Sequence, residues 1–334
     1  MRLPDEHASA RVLPYKPPLN VLGLILLLGI GLVIGWAMLS VHTYLMLTRP
    51  PRRTYGWAVA RSLPGDPSEL RLPDPHARHE VAWSEWTFRA GTLTGEGDGG
   101  LELPVWDIAG LDPSGPTVIL THGWSDSRVV MLGSGRVAAA LPVVSRLIVW
   151  DLPGHGEARG RCSLGSTESG ALRALVERIA ERDRRVVLWG FSLGARISIE
   201  AARSNRTVEG LIAEAPYLLP RTPALNVLRH RGLPYRANLG PALAAVGIRR
   251  GVGPGFAGGG GRVRLDASRL DCRLLVIHGR ADLVSPIEDG RRLAASARDG
   301  RIDEIESGQH QSLWFSAETS AAATESLRRF LASR

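Results

Sequence analysis

From Pro17 to Thr48 the chain carries no formal charge, and Val21 to Ser40 (VLGLILLLGIGLVIGWAMLS) is nearly all apolar, with no polar face. Twenty helical residues rise about 30 Å, the thickness of a bilayer's hydrocarbon core. The pattern predicts one transmembrane helix over 19–46, preceded by a tail over 1–18. A secretory signal peptide is the poorer match, because its apolar region usually runs about 7–15 residues and no clear A-x-A site comes after it here. Trp36 and Tyr44 are placed near a membrane interface. Gly31 and Gly35 form a G-x-x-x-G spacing that lets helices approach closely. Residues 47–78 are rich in proline and arginine and show no periodicity, so they read as a tether, either free or packed on the surface of the domain beyond it.

Over 79–334 the pattern changes to short apolar runs alternating with helical periodicity. WTFRA and LELPVWDI suggest an opening antiparallel pair. Strands TVILTHG, RLIVWDLPG, RVVLWG, VEGLIAEAP, CRLLVIHG and RIDEIESG then alternate with helices SRVVMLGSGRVAAAL, SGALRALVERIAER, ARISIEAAR, EDGRRLAASAR and AETSAAATESLRRFLASR. Such alternation predicts an α/β fold: a mostly parallel, eight-stranded sheet flanked by helices on both faces. Residues 217–269 break the rhythm with two short helical stretches and the run GVGPGFAGGGGR. That run lacks the Lys-Ser/Thr of a phosphate loop, and no strand precedes it, so it reads as a flexible loop. The insertion falls where a small lid would overhang the C-terminal edges of the strands, the edge at which such sheets bind ligands.

Composition narrows the options. With 44% hydrophobic and 22% charged residues the chain has a globular core. The formal charge is +8, yet Lys16 is the only lysine and the arginines scatter along the chain. This reads as coding bias, and no nucleic-acid motif accompanies it. Cys162 and Cys272 are too few for a disulfide framework or a Cys-rich zinc site, though one bridge stays open. The nine histidines show no metal-binding spacing, so neither a metal nor a cofactor is expected. Arg49, Arg52 and Arg53 cluster just after the apolar span, and this tilts the adjoining domain toward the cytoplasmic side.

The candidate chemistry lies in VVLWGFSLGARIS, residues 186–198. Ser192 sits between Gly190 and Gly194 where a buried strand gives way to a helix, with no residues left for a relaxed loop. So tight a corner strains the backbone and turns the hydroxyl outward, as suits a nucleophile. In a chain with 38 glycines the pentapeptide alone is weak; a base, an orienting acid and oxyanion donors must accompany it. Three stretches at strand ends offer them: Thr121-His122-Gly123-Trp124, HGRADLVSP with Asp282, and ESGQHQSLW with His310. Glu214, at the end of the preceding strand, is a rival acid. His122 and His155 read as structural. His278 comes directly after its strand and directs its backbone rather than its ring toward the site.

With Ser192, Asp282 and His310 in that order, with DLPGHGEA at 151–158 and with GRADLVSP around the acid, residues 80 to the end resemble the α/β-hydrolase superfamily. The resemblance extends to its esterase and serine-aminopeptidase-like branch. It implies Ser192 as nucleophile, His310 as general base and Asp282 as the residue that fixes the imidazole tautomer. It also implies an oxyanion hole made of the backbone N–H groups of Leu193 and Trp124. Relatives that open epoxides or displace halide use an aspartate nucleophile, and the serine argues against both. The implied function is a membrane-anchored serine hydrolase. It would cleave an ester, thioester or lipid acyl bond of a small or lipid-like substrate, with specificity set by the lid. A serine aminopeptidase-like peptidase and a non-catalytic binding relative are the alternatives.

Overall fold

The computed structural model describes residues 21–70, 81–91, 100–203, 205–258 and 264–333. Its strands are β1 (Trp83–Ala90), β2 (Leu101–Ala109), β3 (Thr117–Thr121), β4 (Arg146–Trp150), β5 (Val186–Phe191), β6 (Val208–Glu214), β7 (Arg273–Gly279) and β8 (Gly300–Ile305). They form one sheet in the order β1-β2-β4-β3-β5-β6-β7-β8. The β1–β2 and β2–β4 pairs are antiparallel, and every later pair is parallel. In β3 and β5 every residue is buried, as expected for parallel strands covered on both faces. Along the edge strand β1 only Phe88 and Ala90 are buried, and the other positions are exposed or half-buried.

The helices are α1 (Val21–Thr48), α2 (Tyr55–Val59), α3 (Arg128–Gly133), α4 (Arg136–Ala140), α5 (Glu168–Ala180), α6 (Leu193–Ala202), α7 (Arg221–His230), α8 (Leu239–Arg249), α9 (Gly255–Gly258), α10 (Ile287–Ser296) and α11 (Ala317–Ala332). Apolar side chains fill two cores, one on each face of the sheet. Leu172, Leu175 and Ile197 belong to the first, and Met131, Leu327 and Phe330 to the second.

Two features depart from the sequence pattern. The helix expected over 127–141 is broken into α3 and α4 at Gly135, whose φ of +86° suits glycine and ends the first helix. The expected span over 19–46 and tether over 47–78 divide a helix that is continuous to Thr48. Its first two-thirds are exposed, but Ser40, Thr43, Leu47 and Thr48 are buried against the domain. The segment after it is not free. The Thr48 carbonyl accepts a hydrogen bond from the Cys162 amide at 3.0 Å, the Arg53 carbonyl accepts one from the Ser127 hydroxyl at 2.6 Å, and the Arg53 guanidinium pairs with Asp126 at 2.7 Å. Residues 71–78 of the expected tether, and residues 259–262 of the glycine run, lie outside the described residues. The glycines of that run at 255 and 258 bound the short α9.

Candidate active site

The corner at Ser192 is built by two close approaches. A Cβ on Gly190 would meet the Gly194 carbonyl oxygen at 2.2 Å, and one on Gly194 would meet the Thr121 carbonyl oxygen at 2.1 Å. No larger residue fits either place. Between them Ser192 adopts φ +52° and ψ −108°, a conformation that costs about 1–3 kcal/mol and persists only where the surroundings enforce it. Part of that enforcement is the Ser192 amide, which donates to the Glu214 carbonyl at 2.8 Å and ties the corner to the end of β6.

His310, in the loop after β8, lies between two partners. Its Nε2 is 3.0 Å from Ser192 Oγ, and its Nδ1 is 2.7 Å from Asp282 Oδ2. A carboxylate oxygen only accepts, so we assign the proton of a neutral imidazole to Nδ1; that leaves Nε2 free to accept from the serine. The loop after β7 fixes Asp282: its Oδ1 accepts from the amides of Val284 and Ser285, each at 2.8 Å. Burial by itself would raise the Asp282 pKa, but hydrogen bonds from His278, His310 and the Ser285 amide outweigh it. They hold the carboxyl well below the usual range.

Glu214 is occupied elsewhere. It is fully buried, accepts from Arg136 Nε at 2.9 Å and Nη2 at 2.5 Å, and takes a third bond from Trp314 Nε1 at 3.1 Å. The Arg136 guanidinium lies 4.4 Å from the centre of the Phe191 ring, which is 5.1 Å from the His310 ring. The two expected acids therefore part: Asp282 meets the imidazole, and Glu214 neutralises a buried cation beneath it. His278 departs from expectation. It lies within β7, and its ring does reach the site, with Nε2 3.4 Å from Asp282 Oδ2 and 3.0 Å from the Ser285 carbonyl.

Leu193 opens α6, and its amide is one of the first-turn donors that a helix leaves without an internal partner. Neither the Leu193 nor the Trp124 amide donates to another group among the described residues. Both residues line a pocket of about 400 Å³ together with Ser192 and His310. Pro223, Ala224, Val227 and Leu228 of α7 form one apolar wall, while Met46 and Leu47 of α1 close another. Leu283 and Phe315 stand exposed at its rim. The Trp124 indole donates to the Leu47 carbonyl at 2.9 Å and joins α1 to this wall. Nothing in the sequence pattern marks Met46, Leu47 or Arg53 as pocket residues, because an apolar anchor and a tether explain them equally well.

His122 and His155 serve the loops. His122 Nδ1 donates to the Gly123 carbonyl at 2.8 Å, and its Nε2 accepts from the Leu152 amide at 3.0 Å, which links the loops after β3 and β4. His155 Nδ1 donates to the Pro153 carbonyl at 3.0 Å. Burial pushes the His122 pKa well down and that of His155 down to about 4, so both rings are neutral. In the same turn Asp151 accepts from the amides of Arg128 and Glu157. A Cβ on Gly156 would lie 2.4 Å from the Asp151 carboxylate, which explains the glycine there.

The model of the alpha/beta hydrolase family matches residues 118–324. No curated protein matches the chain. Among solved structures, an esterase from Pyrococcus furiosus is 17% identical, with a TM-score of 0.58 over 78% of this chain and 98% of its own. An esterase from Thermogutta terrifontis, solved with malate bound, is 20% identical, with a TM-score of 0.52 over 74% of this chain and 98% of its own. The structure of Est1E from Butyrivibrio proteoclasticus with ferulic acid is 16% identical, with a TM-score of 0.52 over 69% of this chain and 94% of its own.

Proposed function

The chain belongs to the alpha/beta hydrolase family, and from that premise we propose that it is a serine esterase anchored to a membrane by α1. One observation carries the reading: the continuous line of polar atoms from Ser192 Oγ through His310 to Asp282, at 3.0 and 2.7 Å. His310 Nε2 takes the hydroxyl proton as Ser192 Oγ attacks the substrate carbonyl. The amides of Leu193 and Trp124 donate to the oxyanion that forms, where each donor contributes about 2.7–4 kcal/mol to transition-state stabilisation. Asp282 stabilises the imidazolium. His310 then returns the proton to the leaving alcohol, and a water, deprotonated by the same nitrogen, cleaves the acyl-enzyme.

The pocket supports an acyl substrate. Its walls are apolar, and its described lining contains Arg53, His230 and Arg231 but no carboxylate. A free ammonium group therefore finds no counter-charge there, which argues against the aminopeptidase alternative. Anchoring is supported by the apolar stretch of α1, which has a mean hydropathy of 2.5 and is 0% buried against the rest of the chain. We place the catalytic domain at 79–334, its lid at 217–269, and the whole on the cytoplasmic side, in keeping with the basic residues after the span.

A fluorophosphonate probe tests the assignment. We expect it to label the wild-type chain at Ser192, and Ser192→Ala to lose both labelling and about 10⁶-fold in turnover of p-nitrophenyl esters. Labelling that persists in the variant would place the nucleophile elsewhere.

A further inference from the structure

The arginines scatter along the chain, but the acids do not. Residues 217–269 contain nine arginines and a single acid, Asp266. The lid thus carries +8, equal to the charge of the whole protein, and the remainder balances to zero. The basic loop between α7 and α8 (RGLPYRAN) is also bonded to α1. Trp36 Nε1 donates to the Ala237 carbonyl at 2.8 Å, and Asn238 Nδ2 donates to Thr43 Oγ1 at 2.6 Å. Helix α8 packs along the same end of α1.

These contacts fix the depth of the lid. Burial of α1 begins at Ser40, and Trp36 precedes it by four residues, about 6 Å along a helix. The headgroup layer on one side of a bilayer is about 5–7 Å thick. With the part of α1 before Trp36 in the hydrocarbon core, the helix crosses that layer between Trp36 and Ser40, and the loop bonded to Trp36 lies in it. Arg229, Arg231 and Arg236 at and beside this loop are exposed and form no ion pair among the described residues. Met46 and Leu47 of the same helix line the pocket, with Arg231 near its mouth.

We propose that the loop between α7 and α8, with the end of α7, is a docking face for an anionic bilayer. The loop arginines bind lipid phosphates beside α1, and the pocket draws its ester substrate, a lipid with an anionic headgroup, from that surface. The inference rests on the membrane-anchored esterase reading, and its test is separable from that reading.

The full chain bearing Pro234→Cys, labelled with an environment-sensitive fluorophore, is reconstituted into vesicles that contain a headgroup-attached quencher. Cys162 and Cys272 are buried, so the label goes to the loop. One set of vesicles is pure phosphatidylcholine; in the other a third of the lipid is phosphatidylglycerol. We expect stronger quenching in the anionic vesicles and its reversal by high salt. With Arg229→Gln and Arg236→Gln together, the ratio of docked to undocked lid should fall about 30-fold, from the usual strength of a basic residue at an anionic surface. Phosphatidylglycerol should also be hydrolysed faster than phosphatidylcholine. Quenching that ignores lipid charge overturns the proposal; so does protection of the label by soluble heparin with no response to phosphatidylglycerol. Turnover of a soluble short-chain ester on the same samples reads the Ser192 chemistry separately, so docking can fail while that chemistry stands.

Discussion

Asp282 and Glu214 belong to neighbouring strand ends, yet their removal should produce opposite phenotypes. Asp282→Asn keeps the size of the side chain and an oxygen for the Val284 and Ser285 amides. What it loses is the acceptor for His310 Nδ1–H, now 2.7 Å away. An amide nitrogen facing Nδ1 favours the tautomer with its proton on Nε2, which cannot accept from Ser192. The expected loss is about 10⁴-fold in kcat with little change in stability. Glu214→Gln leaves that relay intact but leaves Arg136, 2% exposed, without its counter-charge. Breaking one partner of a buried pair costs about 3–5 kcal/mol. For a domain of this size that lowers the melting temperature by on the order of 10 °C. Steady-state kinetics on a soluble ester at 25 °C, beside thermal unfolding of the same preparations, give the two readouts. If Glu214→Gln abolishes kcat while its melting curve matches wild type, the assignment of the orienting acid is wrong.

Three further substitutions test the scaffold. His155 has a folded pKa of about 4 against roughly 6.5 when unfolded, so the unfolded chain binds more protons between these values and stability falls as pH falls. Between pH 7 and pH 4 the wild type should lose about 3 kcal/mol that His155→Asn, which keeps a donor for the Pro153 carbonyl, does not; parallel urea-denaturation midpoints for the two proteins would rule this out. Gly194→Ala places a methyl group 2.1 Å from the Thr121 carbonyl oxygen and should cost at least about 4 kcal/mol. Gly232→Ala, at φ +66° with open space around it, should cost only about 1–2 kcal/mol, and the difference in soluble, cooperatively melting protein checks both.

The sequence by itself determined which segments are apolar and with what period, and therefore the long apolar first helix, the alternation of strands and helices, and the strand ends at which Ser192, Asp282 and His310 stand. Each of these is local: an uncharged run, a two- or 3.6-residue period, a glycine on either side of a serine. The structure alone decided what meets across long stretches of chain. The resemblance favours Asp282 and leaves Glu214 as a rival strand-end acid; in the structure Arg136, 78 residues before Glu214, pairs with the rival. The stretch 127–141 keeps apolar residues on both sides of its Gly-Ser-Gly centre, and the left-handed Gly135 there divides it into two helices. The segment after α1 packs without leaving a regular period, because scattered apolar residues such as Ala58, Leu63 and Leu70 and hydrogen bonds at Arg53 hold it rather than one continuous face. Even the arginine excess of the lid could be counted in advance, but its place beside α1 depends on Trp36 and Thr43 meeting Ala237 and Asn238, some 200 residues away. Periodicity records which face of an element is buried. It does not record which distant partner buries it.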